Sequence, residues 1–486
     1  VHGSGTFKVE AYLANAEGLS SDLPELDEPV RNGSVVEDLL CSNIVTLSDS
    51  GAISLPEIDL DSLEEGLIFF KFHAIENTVI KSATIRCAQA PIRPVKLGLV
   101  ITHFNRQQEV SAAVAKIRSN LVDHEQLAGM IELFVVDNSS NSGIADSPGI
   151  TVINSKNLGG SGGFSRGLLE LVRDGSFTHC LFMDDDASCE PESVRRTVAI
   201  FAHSNSDKTA VAGSLIHEAD HATVYECGAY FDGLCHRINS DLDVRLPFHL
   251  LVADREVFRP NYGGWWFFGF SLKSCNYFPF PFFVRGDDVS FSMINKLDVV
   301  TINGIAAYGA SFESKHNALT TYLDTRAHLV QQISVLGHGR LSVMKGYARF
   351  FLMSLLSYRY GSAAATSLAL KDVMQGPTFF TSNLDMRSRF GLINEMRKLD
   401  EGSNLPHAPA GTEVLTISRE SVARKILRIM TINGFILPPF LCHNPAVFQE
   451  PGFGAKLKQT FRYSSIYYGQ SPDSSGELVT IDRWKA

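Results

Sequence analysis

The sequence predicts an α/β protein: a doubly wound parallel sheet, preceded by a β-rich region and followed by a helical one. Three observations predict it. Between residues 96 and 216 short apolar runs alternate with segments of helical period, the pattern of strand–helix–strand units. Each run ends in polar or acidic residues, among them Arg106, Asp137, Asn157 and Asp184-Asp185-Asp186. Strands of such sheets end this way at the carboxyl edge, where the fold binds ligands. From about residue 319 onward, apolar residues recur at three- and four-residue spacing, as on helices.

At 486 residues the chain has room for roughly three domains, expected at 6–95 (β-rich), 96–330 (α/β) and 331–486 (mostly helical). Hydrophobic residues at 44% and charged residues at 20% are those of a soluble globular protein. Lys and Arg number 43 against 53 Asp and Glu, a net charge of -10, which argues against a generic nucleic-acid binder. The eight cysteines are scattered without a CxxC pair, so neither structural zinc nor a disulfide framework is expected, and a reducing cytoplasm is the expected compartment. No apolar run approaches the ~20 residues that cross a bilayer, and no signal-peptide pattern opens the chain. Val1-His2-Gly3-Ser4-Gly5 reads as an appended tail and is set aside.

In the first region, 67–75 and 78–87 are rich in β-branched and aromatic residues, which predicts strands of a small sandwich or barrel. A carbohydrate-binding role and a purely structural one both stay open for it. Pro91-Ile92-Arg93-Pro94 ends the region as a linker. The α/β region begins with a strand at 97–102 that runs into His103-Phe104-Asn105-Arg106. A helix follows, with Val110, Ala113, Val114, Ile117 and Leu121 on one face. Strands at 131–136 and 151–154 end at Asp137 and near Asn157. The glycine-rich run from Asn157 to Gly167 then opens a helix, a place where backbone can approach a ligand and a helix N-terminus can attract an anion. It is no Walker A loop, because no Gly-Lys-Ser/Thr ends it, and Ser165 stands where a dinucleotide fingerprint needs glycine or alanine. Pro191 opens a helix reaching about 203, and 210–216 is a further strand.

Cys180-Leu181-Phe182-Met183 leads into three consecutive carboxylates. If the strand continues through them, Asp184 and Asp186 share one side and Asp185 points away. Two converging carboxylates cradle Mg²⁺ or Mn²⁺, above all when a phosphorylated ligand supplies more oxygens; a solvated acidic turn is the alternative. Trp265-Trp266, set among glycines, fits a buried aromatic core or a cleft that holds sugar rings by their apolar faces. Arg285-Gly286-Asp287-Asp288 repeats an apolar run ending in acids, one of them a candidate general base, with helix capping as the alternative. His316 sits in a polar loop, where a lone histidine is usually incidental.

In this order, Thr102-His103-Phe104-Asn105-Arg106, Asp137-Asn138, Asn157-Leu158-Gly159-Gly160-Ser161-Gly162-Gly163, Met183-Asp184-Asp185-Asp186, Trp265-Trp266, Gly286-Asp287-Asp288 and His316 resemble an inverting family 2 glycosyltransferase of the GT-A class. More narrowly the pattern is similar to bacterial, mycobacterial-type galactofuranosyltransferases. The resemblance is sharp over roughly residues 96–330. It implies a GT-A domain between a β-rich N-terminal domain and a helical C-terminal one. It implies that Asp184, Asp186 and His316 hold Mn²⁺ or Mg²⁺ on the diphosphate of a UDP-sugar. Arg106, Asp137 and Asn157 would contact the nucleotide, with Asp185 near the sugar. Asp288 would be the base, Asp287 its neighbour in acceptor recognition, and Trp265 and Trp266 the acceptor platform. His103, and Val289-Ser290 after the second acid pair, depart from the family pattern. The donor implied is UDP-galactofuranose and the acceptor a glycan or lipid-linked glycan of the bacterial surface; a rhamnose or pyranose donor, or a non-catalytic glycan-binding protein, are the rival readings.

In the C-terminal region 329–336, 344–358 and 421–432 read as helices. The last carries Val422, Ile426, Leu427 and Ile429 with Arg424, Lys425 and Arg428, Arg419 lying just upstream. A basic amphipathic helix fits an anionic membrane surface, here the inner face of the plasma membrane, or an internal or homo-oligomer contact.

Overall fold

A computed structural model of the chain describes all residues except 18–32, 50, 52, 54, 57, 60, 61, 64, 84–88, 255–258, 311–315, 418, 453 and 484–486. The end of the expected strand 78–87 and Glu313-Ser314-Lys315, just before His316, lie outside the described residues.

Strand β1 (His2–Glu17) pairs antiparallel with β2 (Ser34–Leu47), β3 (Leu67–Ala74) and, at its start, β4 (Val79–Ser82). Phe7, Val9, Ala11 and Leu13 alternate onto the buried face, while Lys8 and Tyr12 take the other. Among the described residues these strands form one four-stranded sheet. The residues set aside as a tail belong to it: Gly3 pairs with Ile80 and Ser4 with Val79. A Cβ on Gly3 would stand 2.1 Å from the Val79 carbonyl oxygen, so the glycine permits the pairing.

The central region runs through β5 (Leu97–His103), α1 (Gln107–Ile117), β6 (Ile131–Asp137), β7 (Ile150–Asn154), α2 (Gly159–Asp174), β8 (His179–Asp184), β9 (Ser188–Cys189), α3 (Pro191–His203) and β10 (Thr209–Ala212). Strands β5 to β8 are parallel, and every residue of β5 is buried, as befits a strand covered on both faces. Leu97, Leu99 and Ile101 pack on one side with Val110 and Val114 of α1; Val100 packs on the other with Leu168 and Leu171 of α2.

Two expectations change here. The strand expected at 210–216 is two strands, β10 and β11 (Ser214–His217), in different sheets. They part at Gly213, where a Cβ would meet the Phe267 ring at 2.9 Å and the carbonyl accepts the Trp266 indole N–H at 2.9 Å. Beyond them come β12 (Val224–Glu226), β13 (Ala229–Phe231), β14 (Cys235–Arg237), α4 (Pro247–Asp254), β15 (Phe268–Ser271), α5 (Asp287–Ile294), β16 (Asp298–Val300) and β17 (Ala306–Gly309). The main sheet has the order β16-β10-β15-β8-β5-β6-β7, and β15 is antiparallel to both neighbours, so it is mixed and not all-parallel. The cause is connectivity. The chain leaves β10 at the carboxyl edge and re-enters the sheet from that same edge, which only an antiparallel strand can do. A second sheet, β12-β11-β17-β9, continues that edge.

Helices α6 (Ala318–Ser334), α7 (Arg340–Leu356), α8 (Tyr360–Val373), α9 (Pro377–Ser382) and α10 (Arg387–Asp400) follow. The helix expected at 421–432 is present at Val422–Met430, but the remainder of the C-terminal region beyond α10 is not mostly helical. With α11 (Val422–Met430) and the short α12 (Leu457–Thr460) beside them, β18 (Ser403–Leu405), β19 (His443–Gln449), β20 (Tyr463–Gly469) and β21 (Gly476–Thr480) make a sheet in the order β18-β21-β20-β19. Its core is Val447, Ile466, Tyr468 and Val479 with Tyr358 and Tyr360 of the helices. No described helix is long and apolar enough to cross a membrane.

Candidate active site

Asp184 is the last residue of β8, and the chain turns at Asp185-Asp186, with the Ala187 N–H returning to the Asp184 carbonyl at 3.3 Å. The strand therefore does not continue into Asp186, and the two-residue period that would set Asp184 and Asp186 side by side does not apply. The acids are gathered by Arg106 instead, whose guanidinium lies 2.9 Å from Asp185 and 2.8 Å from Asp186. Asp185 also accepts the Phe104 N–H at 3.2 Å and lies 3.3 Å from Nδ1 of the buried His103, whose Nε2 is 3.0 Å from Asn141. The Asp184 carboxyl is pushed up to about 8, first by burial and then by Asp186, Asp185 and Asp287. Carboxylates crowded to that degree form a place where a divalent cation relieves repulsion, and the hard oxygens of Asp184 and Asp186 fit Mg²⁺ or Mn²⁺ completed by diphosphate oxygens.

Asp184 opens onto a cavity of about 430 Å³ that it shares with Trp265, Trp266, Asp287 and Asp288. The antiparallel strand explains the meeting: Phe268 of β15 lies opposite Phe182 of β8, so the tryptophans just ahead of β15 stand where β8 ends in acid. Trp265 is 5% exposed, wedged against Phe164, Phe182 and Phe291, and gives the cavity a wall more than a free stacking face. Asp287 and Asp288 form the first turn of α5, entered through Gly286 at φ 79°. Burial raises both carboxyls, and for Asp288 the neighbouring Asp287 adds to it. Asp288 accepts the Val289 N–H at 2.8 Å. Helix α6 holds this turn from behind, Gln331 Nε2 donating to the Gly286 carbonyl at 2.6 Å.

The glycine-rich run supports this turn, and Gly160 lines the same cavity. Gly159, at φ 72°, brings its backbone so close to Phe283 that a Cβ would stand 2.0 Å from the Phe283 carbonyl oxygen. The same carbonyl accepts the Ser161 N–H at 3.0 Å, and Ser161 Oγ donates to Asp287 at 2.8 Å. A helix N-terminal amide expected to attract an anion is thus engaged by the chain itself. Gly163 and Gly167 lie equally tight against Thr102 and Val100.

The remaining expected residues stand at the sheet edge or apart. Asp137 accepts the N–H groups of Ser139 (2.9 Å) and Ser142 (2.7 Å), and these bonds outweigh burial and hold its carboxyl at about 2; it orders its own loop. Asn157 accepts the Gly159 N–H at 3.0 Å, ordering the entry to α2. His316 is not beside Asp184 and Asp186: it precedes the Asn317 cap of α6 and lines a separate cavity of about 690 Å³ with Ser354, Arg359 and Glu477. Among the described residues no three His, Cys, Asp or Glu side chains are grouped to hold a metal. Sequence reasoning missed Glu226, in the same cavity as Asp288: it is 5% exposed, and burial followed by Asp288 pushes its carboxyl up to about 8. A lone Glu within the apolar Val224-Tyr225-Glu226-Cys227 gave no signal beyond its being an acid on an otherwise buried strand.

Residues 99–224 match the family model for glycosyl transferase family 2. The chain is 24% identical over 364 residues to the galactofuranosyltransferase GlfT2 of Mycolicibacterium smegmatis, which covers 68% of this chain and 55% of that protein. It is 23% identical over 392 residues to GlfT2 of Mycobacterium tuberculosis, covering 72% of this chain and 58% of that one. It thus spans little more than half the length of these relatives. A solved structure of the mannosyltransferase PcManGT from Pyrobaculum calidifontis, in complex with GDP-Man and Mn²⁺, aligns over 64% of this chain and 86% of its own at 11% identity and a TM-score of 0.34, a likeness too slight to bear on the site. The matched segment carries Arg106, Asp137, Asn157 and the Asp184 triplet, so residues 99–224 are similar to glycosyl transferase family 2, and the chain resembles the galactofuranosyltransferases.

Proposed function

We propose that the chain is a divalent-metal-dependent, inverting glycosyltransferase that moves galactofuranose from UDP-galactofuranose onto a growing bacterial cell-surface glycan. The observation that carries this reading is the pairing of two acid groups in one cavity, Asp184 at a strand end and Asp288 at a helix start, with Trp265 and Trp266 in the same lining. The relatives named as galactofuranosyltransferases support the choice of sugar.

The chemistry follows from that separation of roles. Asp288, its carboxyl raised by burial and by Asp287, takes the proton from the acceptor hydroxyl as that oxygen forms its bond to the anomeric carbon. The anomeric carbon–oxygen bond to the diphosphate breaks on the opposite face, its electron pair leaving on phosphate oxygen, and the configuration inverts. Asp184 and Asp186 would hold the divalent cation, which when bound supplies Lewis-acid stabilisation of the leaving diphosphate. Arg106 orients the acid turn through Asp185 and Asp186. Trp265 and Trp266, which line the cavity, would shape the acceptor side.

The test is transfer from UDP-galactofuranose to a synthetic galactofuranose oligosaccharide, followed by mass spectrometry, with UDP titrated calorimetrically in the presence and absence of Mn²⁺. Metal-dependent UDP binding lost in Asp184→Ala, with transfer lost in Asp288→Asn, is the expected result. A protein that binds the oligosaccharide but transfers from no nucleotide sugar is a glycan-binding protein, and the proposal fails.

A further inference from the structure

Helix α11 is amphipathic in the reverse of the usual sense. Val422, Ile426, Ile429 and Met430 recur at helical spacing on one face, and no residue of the helix is buried. Val422 is 74%, Ile429 61% and Met430 72% exposed. The polar face is the one turned to the protein. Arg428 makes a two-pronged bond to Glu420, whose side chain is only 3% exposed, at 2.9 Å and 3.0 Å. Arg424 donates to the Lys458 carbonyl at 3.0 Å and lies over the Phe461 ring. An amphipathic helix that folded for its own core would sit the other way round.

The apolar surface extends past the helix. The chain after α11 doubles back, the Asn433 N–H bonding to the Arg428 carbonyl and the Ile436 N–H to the Thr431 carbonyl. Arg483 and Arg462 fasten the following loop, donating to the carbonyls of Phe435, Leu437 and Leu441. That loop presents Ile436, 61% exposed, and Phe440, 82% exposed, on a backbone stiffened by Pro438 and Pro439. The loop is held by half-buried arginines, while Ile436 and Phe440 stand in water.

Charge identifies what covers this surface. The whole chain carries -10, but residues 414–449 hold Arg419, Arg424, Lys425 and Arg428 against Glu420 alone. Glu420 is consumed by Arg428 and Arg424, and Arg419 and Lys425 remain exposed at the border of the apolar face. A second copy meeting this face about a two-fold axis would bring like charges together. An anionic bilayer instead accepts the apolar side chains below its headgroups and the cations at their level. We propose that α11 and the loop to Leu441 form a membrane-docking surface that seats this chain on anionic lipid. The inference does not depend on the transferase reading.

The experiment is co-sedimentation of the full chain with vesicles of phosphatidylcholine alone and with about one-third phosphatidylglycerol. Binding is expected on the anionic vesicles and to weaken in high salt. Ile429→Asp with Met430→Asp is expected to lower the bound fraction at least about tenfold, and Phe440→Ser to lower it as well. Lys425→Glu is expected to cost about fivefold on anionic vesicles and little on neutral ones. These positions are exposed, so circular dichroism and the thermal midpoint are expected to stay at wild type. Absence of vesicle binding, or binding that the apolar substitutions leave unchanged, overturns the proposal. So does a wild-type oligomer in sedimentation velocity that dissociates on the same substitutions while vesicles bind neither form, since the face is then a contact between copies.

Discussion

Replacing Asp184 by asparagine tests the acid cluster through stability, with no substrate present. Burial, followed by Asp186, Asp185 and Asp287, lifts this carboxyl from 3.8 to about 8. An acid raised on folding keeps a proton that the unfolded chain has lost, so its contribution to stability falls as pH rises from the first value to the second. At pH 7 the gap is about three units, and at 1.36 kcal/mol per unit the ceiling is roughly 4 kcal/mol. Asp184 is partly exposed to the cavity, so water reduces this to about 2 kcal/mol. Asparagine has nearly the same shape and no proton to keep. In EDTA, Asp184→Asn is therefore expected to match wild type near pH 4 and to exceed it by about 2 kcal/mol at pH 7, read from urea unfolding of the central transition. Mn²⁺ then reverses the order. At one hundred times its Kd it adds about 2.7 kcal/mol to wild type and little to the variant. A variant less stable than wild type at every pH, or a wild type indifferent to Mn²⁺, refutes the account of this cluster as like charges awaiting a cation.

Other perturbations bear on the second acid pair and its support. Asp288→Asn is expected to slow transfer by about 10²- to 10⁴-fold with donor binding retained, measured by initial rates and UDP titration. Because the base works ionised and its carboxyl is raised, the wild-type rate is expected to fall as pH drops through a value well above the ordinary carboxylate range. Glu226→Gln replaces an acid that burial and Asp288 keep protonated up to about 8, so the acid limb of that profile is expected to stay in place and any change to appear only above it. Gly159→Ala forces a side chain into positive φ against the Phe283 carbonyl and is expected to lower stability by about 1–3 kcal/mol, seen as a lower urea midpoint. Ser161→Ala removes a bond to Asp287 without adding atoms, and is expected to reduce transfer while leaving the midpoint within about 1 kcal/mol.

How far the sequence could be read depended on whether a signal was local. Strand β5 and the ends of β6 and β8 were legible because a buried parallel strand is a continuous apolar run that stops at polar residues, and Pro191 marked the start of α3 to the residue. The antiparallel course of β15 was not legible, since Phe268–Ser271 is apolar in either direction and only the return of the chain along one sheet edge fixes its sense. The same holds for the acids. Asp287-Asp288 was visible as a pair after an apolar run, whereas Glu226 is a site residue only because β12 brings it across from α5. The β-sheet of the C-terminal region was masked by the helices before it, since its β18 and β21 are short and mostly half-buried or exposed.

The glycine-rich run shows how much a correct local reading leaves open. Gly159 to Gly167 do mark close approach of backbone, as their lack of Cβ implies. What approaches is the chain itself: Phe283 at Gly159, Thr102 at Gly163 and Val100 at Gly167. Composition can report that space is tight without reporting what fills it. Here the filling is functional in its own way, because the Phe283 segment leads within four residues to Asp287, and Ser161 grips both. The first acid group rides on β8, beside α2; the second is pinned to the N-terminus of that same helix. Helix α2 therefore fixes the separation of the two carboxylate groups, and a change in the glycine run is expected to disturb transfer through the position of Asp288.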